Sequence, residues 1–238
     1  MLREFYRSEQ ERRSALVSAF DASARQYDRI NASASLGSDA RYRERTLAKT
    51  RLAAGMRVLD IGCGTGMMAR CAKAVVGREG FVVGVDPSSA MLARAIESER
   101  VDAGIIGIAE RLPVRDREFD LVTMSFALRH VADLVGAFRE MARVLKPGGE
   151  LLILEITKPP NQLTYYILRT HLKFVVPTLA RLVPGGRAAR WLYQYCWESH
   201  EQCVPPQAIL SAMEQAALED VRRTVTLGVF SEYRAEKR

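Results

Sequence analysis

The chain has 238 residues, 48% hydrophobic and 26% charged, which suits one soluble globular domain with a substantial core. A formal charge of +7 invites a nucleic-acid surface. The arginines are scattered, however, and no stacking-aromatic RNA motif accompanies them, which sets that class aside.

Residues 1–50 read as a helical cap, with Leu16, Phe20, Ala24 and Tyr27 at helical spacing. The stretch Met1–Arg13 lacks the apolar segment of a signal peptide. From Arg57 the pattern becomes strand, turn, helix. A strand at 57–61 precedes a helix over about 65–76, and a strand at 81–85 leads to a helix from Pro87 to about 98. Ser88 or Ser89 can cap that helix. A weaker strand covers 104–108 and a fourth covers 119–125. A helix over about 133–145 stops at Lys146-Pro147-Gly148-Gly149. The strand at 150–156 is almost wholly apolar, as expected when both faces are covered. Residues 160–202 form a helical insertion rich in bulky side chains. A final helix covers about 205–217, and Val221 to Val229 supplies closing strands. This order predicts an α/β fold, a doubly wound, mostly parallel seven-stranded sheet, with 51–238 as its core and one domain overall.

The densest information lies in Val58-Leu59-Asp60-Ile61-Gly62-Cys63-Gly64-Thr65-Gly66 and in Asp86, which closes Phe81-Val82-Val83-Gly84-Val85. An apolar strand enters a turn of alternating glycines, and a second strand ends in an acid twenty residues after Gly66. Open α/β sheets hold nucleoside-bearing cofactors in this way, the acid accepting from ribose hydroxyls. The third glycine of a dinucleotide fingerprint would fall at 67, which is Met67 here. Asp60 at the strand end would repel a pyrophosphate but suits an ammonium. S-adenosylmethionine carries an ammonium, a sulfonium and no phosphate, so it is the expected cofactor rather than NAD. A plain strand-to-helix turn would not require both acids.

The four cysteines (63, 71, 196 and 203) share no paired or metal-like spacing, which predicts a reduced, cytoplasmic setting and no metal site. The basic, apolar stretch Leu163–Arg187 is interrupted by Arg169, His171, Lys173, Pro177 and Arg181. It therefore reads either as a surface for an anionic membrane or as a core-facing helix pair with solvated basic residues.

These residues resemble class I S-adenosylmethionine-dependent methyltransferases, and more narrowly the ubiquinone/menaquinone C-methyltransferase family. The broad likeness rests on the glycine turn, Asp86 and Val144-Leu145-Lys146-Pro147-Gly148-Gly149. The narrower one rests on Phe20-Asp21-x-x-Ala24-x-x-Tyr27-Asp28-x-x-Asn31, on Ser125-Phe126-Ala127-Leu128-Arg129-His130, on Glu155-Ile156-Thr157-Lys158-Pro159 and on Tyr193-Gln194-Tyr195. The resemblance implies that Asp60 and the backbone of Gly62, Cys63, Gly64 and Gly66 hold the methionine portion. It implies that Asp86 holds the ribose and that Tyr27 closes over the cofactor. Pro87, Met91, Ala109, Glu110 and Ser125 would complete the cofactor wall. Read in isolation, Phe20, Tyr27 and Phe126 would be core and Arg129 a surface charge.

The implied reaction is C-methylation of a prenylated quinol, with Arg129 beside the ring lowering the phenol pKa and His130 as the proton acceptor. The insertion would roof the substrate pocket. Peripheral membrane association, a homodimer and a place in a quinone-synthesis complex are all compatible with it. Two departures stand out: Ile108 replaces a usual Asp or Asn near adenine, and His130 replaces a usual Asn. They leave open another small aromatic or polyketide-like acceptor, and a non-catalytic subunit of a quinone-synthesis complex.

Overall fold

The computed structural model of the chain describes residues 8–35, 37–159, 161–181 and 204–238. Strands β1 (Arg57–Ile61), β2 (Phe81–Asp86), β3 (Ala103–Ile106), β4 (Phe119–Ser125) and β5 (Leu145–Ile156) pair in parallel. Two more strands, β6 (Leu218–Thr226) and β7 (Phe230–Lys237), complete one sheet in the order β3-β2-β1-β4-β5-β7-β6. β7 is antiparallel to both neighbours. The chain winds outward from β1 in one direction and from β4 in the other. The crevice at the carboxyl ends of β1 and β4 is therefore the place where such a sheet binds ligands.

The helices are α1 (Glu9–Ala34), α2 (Ser38–Leu47), α3 (Met67–Val76), α4 (Ser89–Glu97), α5 (Leu134–Val144), α6 (Gln162–Thr170), α7 (Val176–Arg181) and α8 (Pro206–Gln215). A 3₁₀ turn covers Leu128–His130, and a π turn, His171–Val175, joins α6 to α7. Side-chain alternation along the strands divides the core between the two sheet faces. Leu59, Ile61, Val83 and Val85 pack with Phe138 and Met141 of α5 and Met213 of α8. Val58, Val82 and Leu152 pack with Met68, Ala69 and Ala72 of α3. Both parities are apolar because helices cover both faces.

Three expectations need correction. The strand expected at 150–156 begins at Leu145: Phe119 pairs with Leu145 and Leu121 with Glu150, so residues 146–149 bulge opposite Asp120. Pro147 has no N–H for the ladder, and Lys146 bonds Asp120 from within the bulge at 2.8 Å. The closing segment is a hairpin of two long strands, β6 and β7, which starts before Val221 and runs well past Val229. The third strand ends at Ile106, before Gly107 and Ile108. The insertion aromatics Trp191, Tyr193, Tyr195 and Trp197 lie outside the described residues. Cys63 and Cys71 are free thiols, both buried.

Candidate active site

The turn between β1 and α3 is built from residues in the left-handed region. Gly62 has φ 63° and Gly66 φ 81°. A Cβ on Gly62 would lie 2.8 Å from Cβ of Ala127, and one on Gly66 would lie 2.9 Å from Cβ of Arg100. Conformation and space both demand glycine there. The turn is tied to β2, since Gly62 and Cys63 donate their N–H groups to the Val85 carbonyl at 2.7 and 3.2 Å.

Asp86 ends β2 and faces the crevice. Its Oδ2 accepts from Gly64 N and its Oδ1 from Ser88 N, each at 2.8 Å. Each carboxylate oxygen retains further acceptor capacity for a ligand hydroxyl. Burial pushes its pKa up to about 6, and nearby Asp21 adds to the rise.

Asp60 is placed differently from expectation. It is the penultimate residue of β1, one step short of the strand end, where the start of α3 covers its carboxylate and keeps it out of the crevice wall. Its oxygens accept from Thr123 Oγ1 at 2.7 Å and Ala69 N at 3.2 Å. It is 1% exposed, and burial pushes its pKa up to about 6. Cys63 and Gly66 also stand behind the turn. Cys63 packs on Gly84, and burial pushes its thiol pKa up. Gly66 caps α3.

The crevice encloses about 950 Å³ of space, including its open mouth. Tyr27, Gly62, Gly64, Asp86, Pro87, Met91, Ala109, Glu110, Ser125, Arg129 and His130 all meet on its wall, and Ile108 lies among them. Asp60, Cys63 and Gly66 do not line it. Ser125 Oγ is buried in that wall with no hydrogen-bond partner among the described residues.

One face of α1 closes the crevice with Arg13, Leu16, Phe20 and Tyr27. Residues 161–181 contribute nothing to its lining, so among the described residues the roof is α1 rather than the insertion. Three polar anchors hold that helix. Asp21 Oδ1 accepts from Ser88 Oγ at 2.6 Å and Ala90 N at 3.0 Å, at the start of α4. Asp28 accepts from Thr65 Oγ1 at 2.5 Å and Arg100 Nη1 at 2.6 Å, beside the glycine turn. Arg13 donates to Glu110 at 3.1 Å, and that carboxylate also accepts from Ala132 N at 3.0 Å.

Arg129 and His130 sit on the 3₁₀ turn after β4. Arg129 Nη1 donates to Glu155 of β5 at 2.9 Å. The His130 ring meets Phe20 edge-on at 5.9 Å. Burial pushes the His130 pKa well below its usual value, and the Arg129 and Arg12 charges push it further. Its imidazole is therefore neutral at ordinary pH.

Asp21, Asp28 and Glu155 enter the sequence reading only as members of motifs, with no role assigned. A signal for each existed: Asp21 and Asp28 are seven residues apart on one helix face, and Glu155 is an acid at the end of an apolar strand, as Asp86 is.

Residues 7–237 match the model of the ubiE/COQ5 methyltransferase family. A demethylmenaquinone methyltransferase of Mycobacterium marinum is 36% identical over 216 residues, covering 90% of each chain. One from Mycolicibacterium vanbaalenii is 37% identical over 224 residues, covering 93% of this chain and 94% of its own. Among solved structures, a SAM-dependent methyltransferase from Aquifex aeolicus superposes with TM-score 0.60 at 19% identity, covering 82% of this chain and 89% of its own. Another, from Thermotoga maritima, gives 0.65 at 19% identity, covering 94% and 100%. Those two likenesses speak for the fold. With the family match spanning the glycine turn, the strand-end acid and the roofing helix alike, this S-adenosylmethionine-dependent enzyme belongs to the ubiE/COQ5 methyltransferase family.

Proposed function

We propose that the chain methylates a ring carbon of a prenylated quinol. The observation that carries this reading is one crevice with two halves. Gly62, Gly64 and Asp86 form a cofactor half, and Phe20, Phe126, Arg129 and His130 form an acceptor half. The demethylmenaquinone methyltransferase activity of its relatives supports a naphthoquinol acceptor.

S-adenosylmethionine fits the cofactor half. Asp86 offers acceptors to ribose hydroxyls, the buried Ser125 Oγ awaits a polar ligand group, and Pro87, Met91, Ile108 and Ala109 offer an apolar slot for adenine. When bound, it supplies an electrophilic methyl group to a nucleophile approaching in line with the carbon–sulfur bond. The residues around it contribute positioning and exclusion of water. Tyr27 and Phe20 of α1 cover the crevice, and Arg129 places positive charge beside the acceptor hydroxyl, favouring its phenolate. A neutral His130 can accept a hydrogen bond or a proton from that hydroxyl. Burial beside two guanidiniums disfavours the imidazolium, so a proton taken up by His130 passes on to water at the crevice mouth, as does the ring proton lost from the methylated carbon when aromaticity is restored.

The reading extends to an anionic membrane surface as the source of the prenylated acceptor. Leu163, Tyr166, Ile167 and Phe174 are exposed at helical spacing along α6 and the π turn, Leu163 to 69% and Phe174 to 57%. Lys173 lies over the Phe174 ring at 5.9 Å and Lys158 over the Tyr165 ring at 5.2 Å, and no Asp or Glu occurs between Glu155 and Glu198 in the sequence. No helix among the described residues is long and apolar enough to cross a membrane. An apolar stripe flanked by cations suits the interface of a bilayer.

The deciding experiment incubates the purified protein with S-adenosylmethionine and demethylmenaquinol in lipid vesicles. Mass spectrometry should show one added methyl group on the ring. Binding of the cofactor without transfer to any quinol would overturn the acceptor assignment.

A further inference from the structure

The turn that carries Arg129 and His130 is only three residues long and is reached through Phe126, whose φ of 59° is strained for a residue with a Cβ. Something outside the turn has to hold it. Two contacts from β5 do so: Phe126 N donates to the Leu154 carbonyl at 2.7 Å, and the next residue, Glu155, grips Arg129. Glu155 accepts from both the side chain and the main chain of Arg129, Nη1 at 2.9 Å and N at 3.3 Å. It also accepts from Ile156 N at 3.0 Å, which fixes its own carboxylate. The Arg129 side chain is 12% exposed and that of Glu155 3%. Arg129 lines the crevice and Glu155 does not.

We propose that Glu155 is a positioning residue for methyl transfer, orienting the Arg129 guanidinium and moderating the positive field that it presents to the acceptor hydroxyl. The inference rests on the quinol reading above. A carboxylate within hydrogen-bond reach compensates part of the guanidinium charge, so the crevice meets an oriented pair rather than a bare cation. The other charged or titratable groups at this end are Arg12 and Arg13 of α1, Glu110, and His130. Arg12 donates to the His130 carbonyl, and Arg13 pairs with Glu110. On the far side, Arg223 of β6 bonds Thr157 and Ser231, and Ser231 is the register partner of Glu155. None of those contacts substitutes for the bidentate hold on Arg129.

The test compares Glu155→Gln and Glu155→Asp with the parent enzyme, using demethylmenaquinol and S-adenosylmethionine across pH. Gln keeps the shape and removes the charge. Arg129, deprived of this carboxylate's charge, should then move the acid limb of the kcat profile about one unit lower, the size of shift a nearby charge produces. Loss of orientation should lower maximal kcat by about tenfold or more. KM for the cofactor should stay within about twofold, because Asp86 and the glycine turn are untouched, an expectation of independence between separated sites. Glu155→Asp keeps the charge on a shorter arm, so it should lower kcat while leaving the limb at its parental pH. A folded Glu155→Gln enzyme with the parental profile and kcat would overturn the proposal, as would equal limb shifts in both variants. If Glu155→Gln does not fold, Glu155→Asp decides alone, and either parental kcat or a moved limb overturns it. Failure of the parent to methylate any quinol would instead refute the function, so the two failures are distinguishable.

Discussion

Asp60 and Asp86 belong to one motif and share the α3 face of the sheet by register, yet their depth in the strand puts them to different uses: Asp86 lies beyond the pairing of β1, and Asp60 lies within it. Asp86 looks into the crevice and Asp60 looks into the sheet–helix interface, although burial pushes both to about 6. Asp86→Asn removes a charged acceptor and should weaken S-adenosylmethionine binding by about 1.5–3 kcal/mol, roughly ten- to a hundredfold in Kd by calorimetry. In the parent, affinity should fall as pH drops through about 6, because protonating Asp86 removes the form that accepts ribose hydroxyls. Asp60→Asn should separate stability from binding. The amide can donate to Thr123 and still accept from Ala69, so folding loses little, but the negative field behind the glycine turn disappears. Cofactor affinity should fall while the melting temperature at pH 7 rises. The pairing of an acid with a glycine turn was legible in the sequence. How deep each acid sits was not, because motif spacing does not report that α3 closes over Asp60 while Asp86 stands one residue past the end of the β1 pairing.

At the scale of elements, the strand and helix order followed from hydrophobic pattern, and the misjudged boundaries were those decided by pairing. Lys146-Pro147-Gly148-Gly149 carries every signal of a helix stop, yet Leu145 joins β4 before it and the tetrapeptide becomes a bulge. The role of α1 as roof was visible only as amphipathic spacing, since Phe20 and Tyr27 read equally well as core. Its acids Asp21 and Asp28 are visible as one helix face, but their partners Ser88, Thr65 and Arg100 are long-range and leave no local mark. Asp28→Ala should release the end of α1 from Thr65 and Arg100, leaving the Arg100 guanidinium without its carboxylate. Hydrogen exchange should then show faster amide exchange across residues 21–34, with KM for the cofactor raised and the sheet amides unchanged. Uniformly faster exchange would indicate global destabilisation rather than a loosened roof.

For the whole molecule, the two buried acids favour the folded state at low pH, and buried His130, whose pKa is pushed down, opposes them there. The folded pKa values of the two acids, about 6, exceed the reference value of 3.8, so the folded state holds those protons more tightly. The stability they contribute is complete below pH 3.8 and is lost as pH rises through about 6. Urea titrations of Asp60→Asn and parent should therefore differ most at pH 7, by on the order of 1–3 kcal/mol in favour of the variant, and converge near pH 4. The net charge of +7 acts on a larger scale still. Flotation with vesicles containing phosphatidylglycerol should decline as salt is raised, because surface ion contacts are screened within about 8 Å at physiological ionic strength. Leu163→Glu with Ile167→Glu should abolish flotation and spare cofactor binding, since α6 lies outside the crevice lining.

The anchors on α1 also join its roof to the crevice walls. Asp21 and Asp28 fasten the roof to two segments of the crevice wall, the start of α4 and the glycine bend. Phe20 and Tyr27 lie on the same helix, so whatever loosens either fastening also shifts the apolar cover over the crevice. One 26-residue rod thus ties the hold on the donor to the shape of the space beside it.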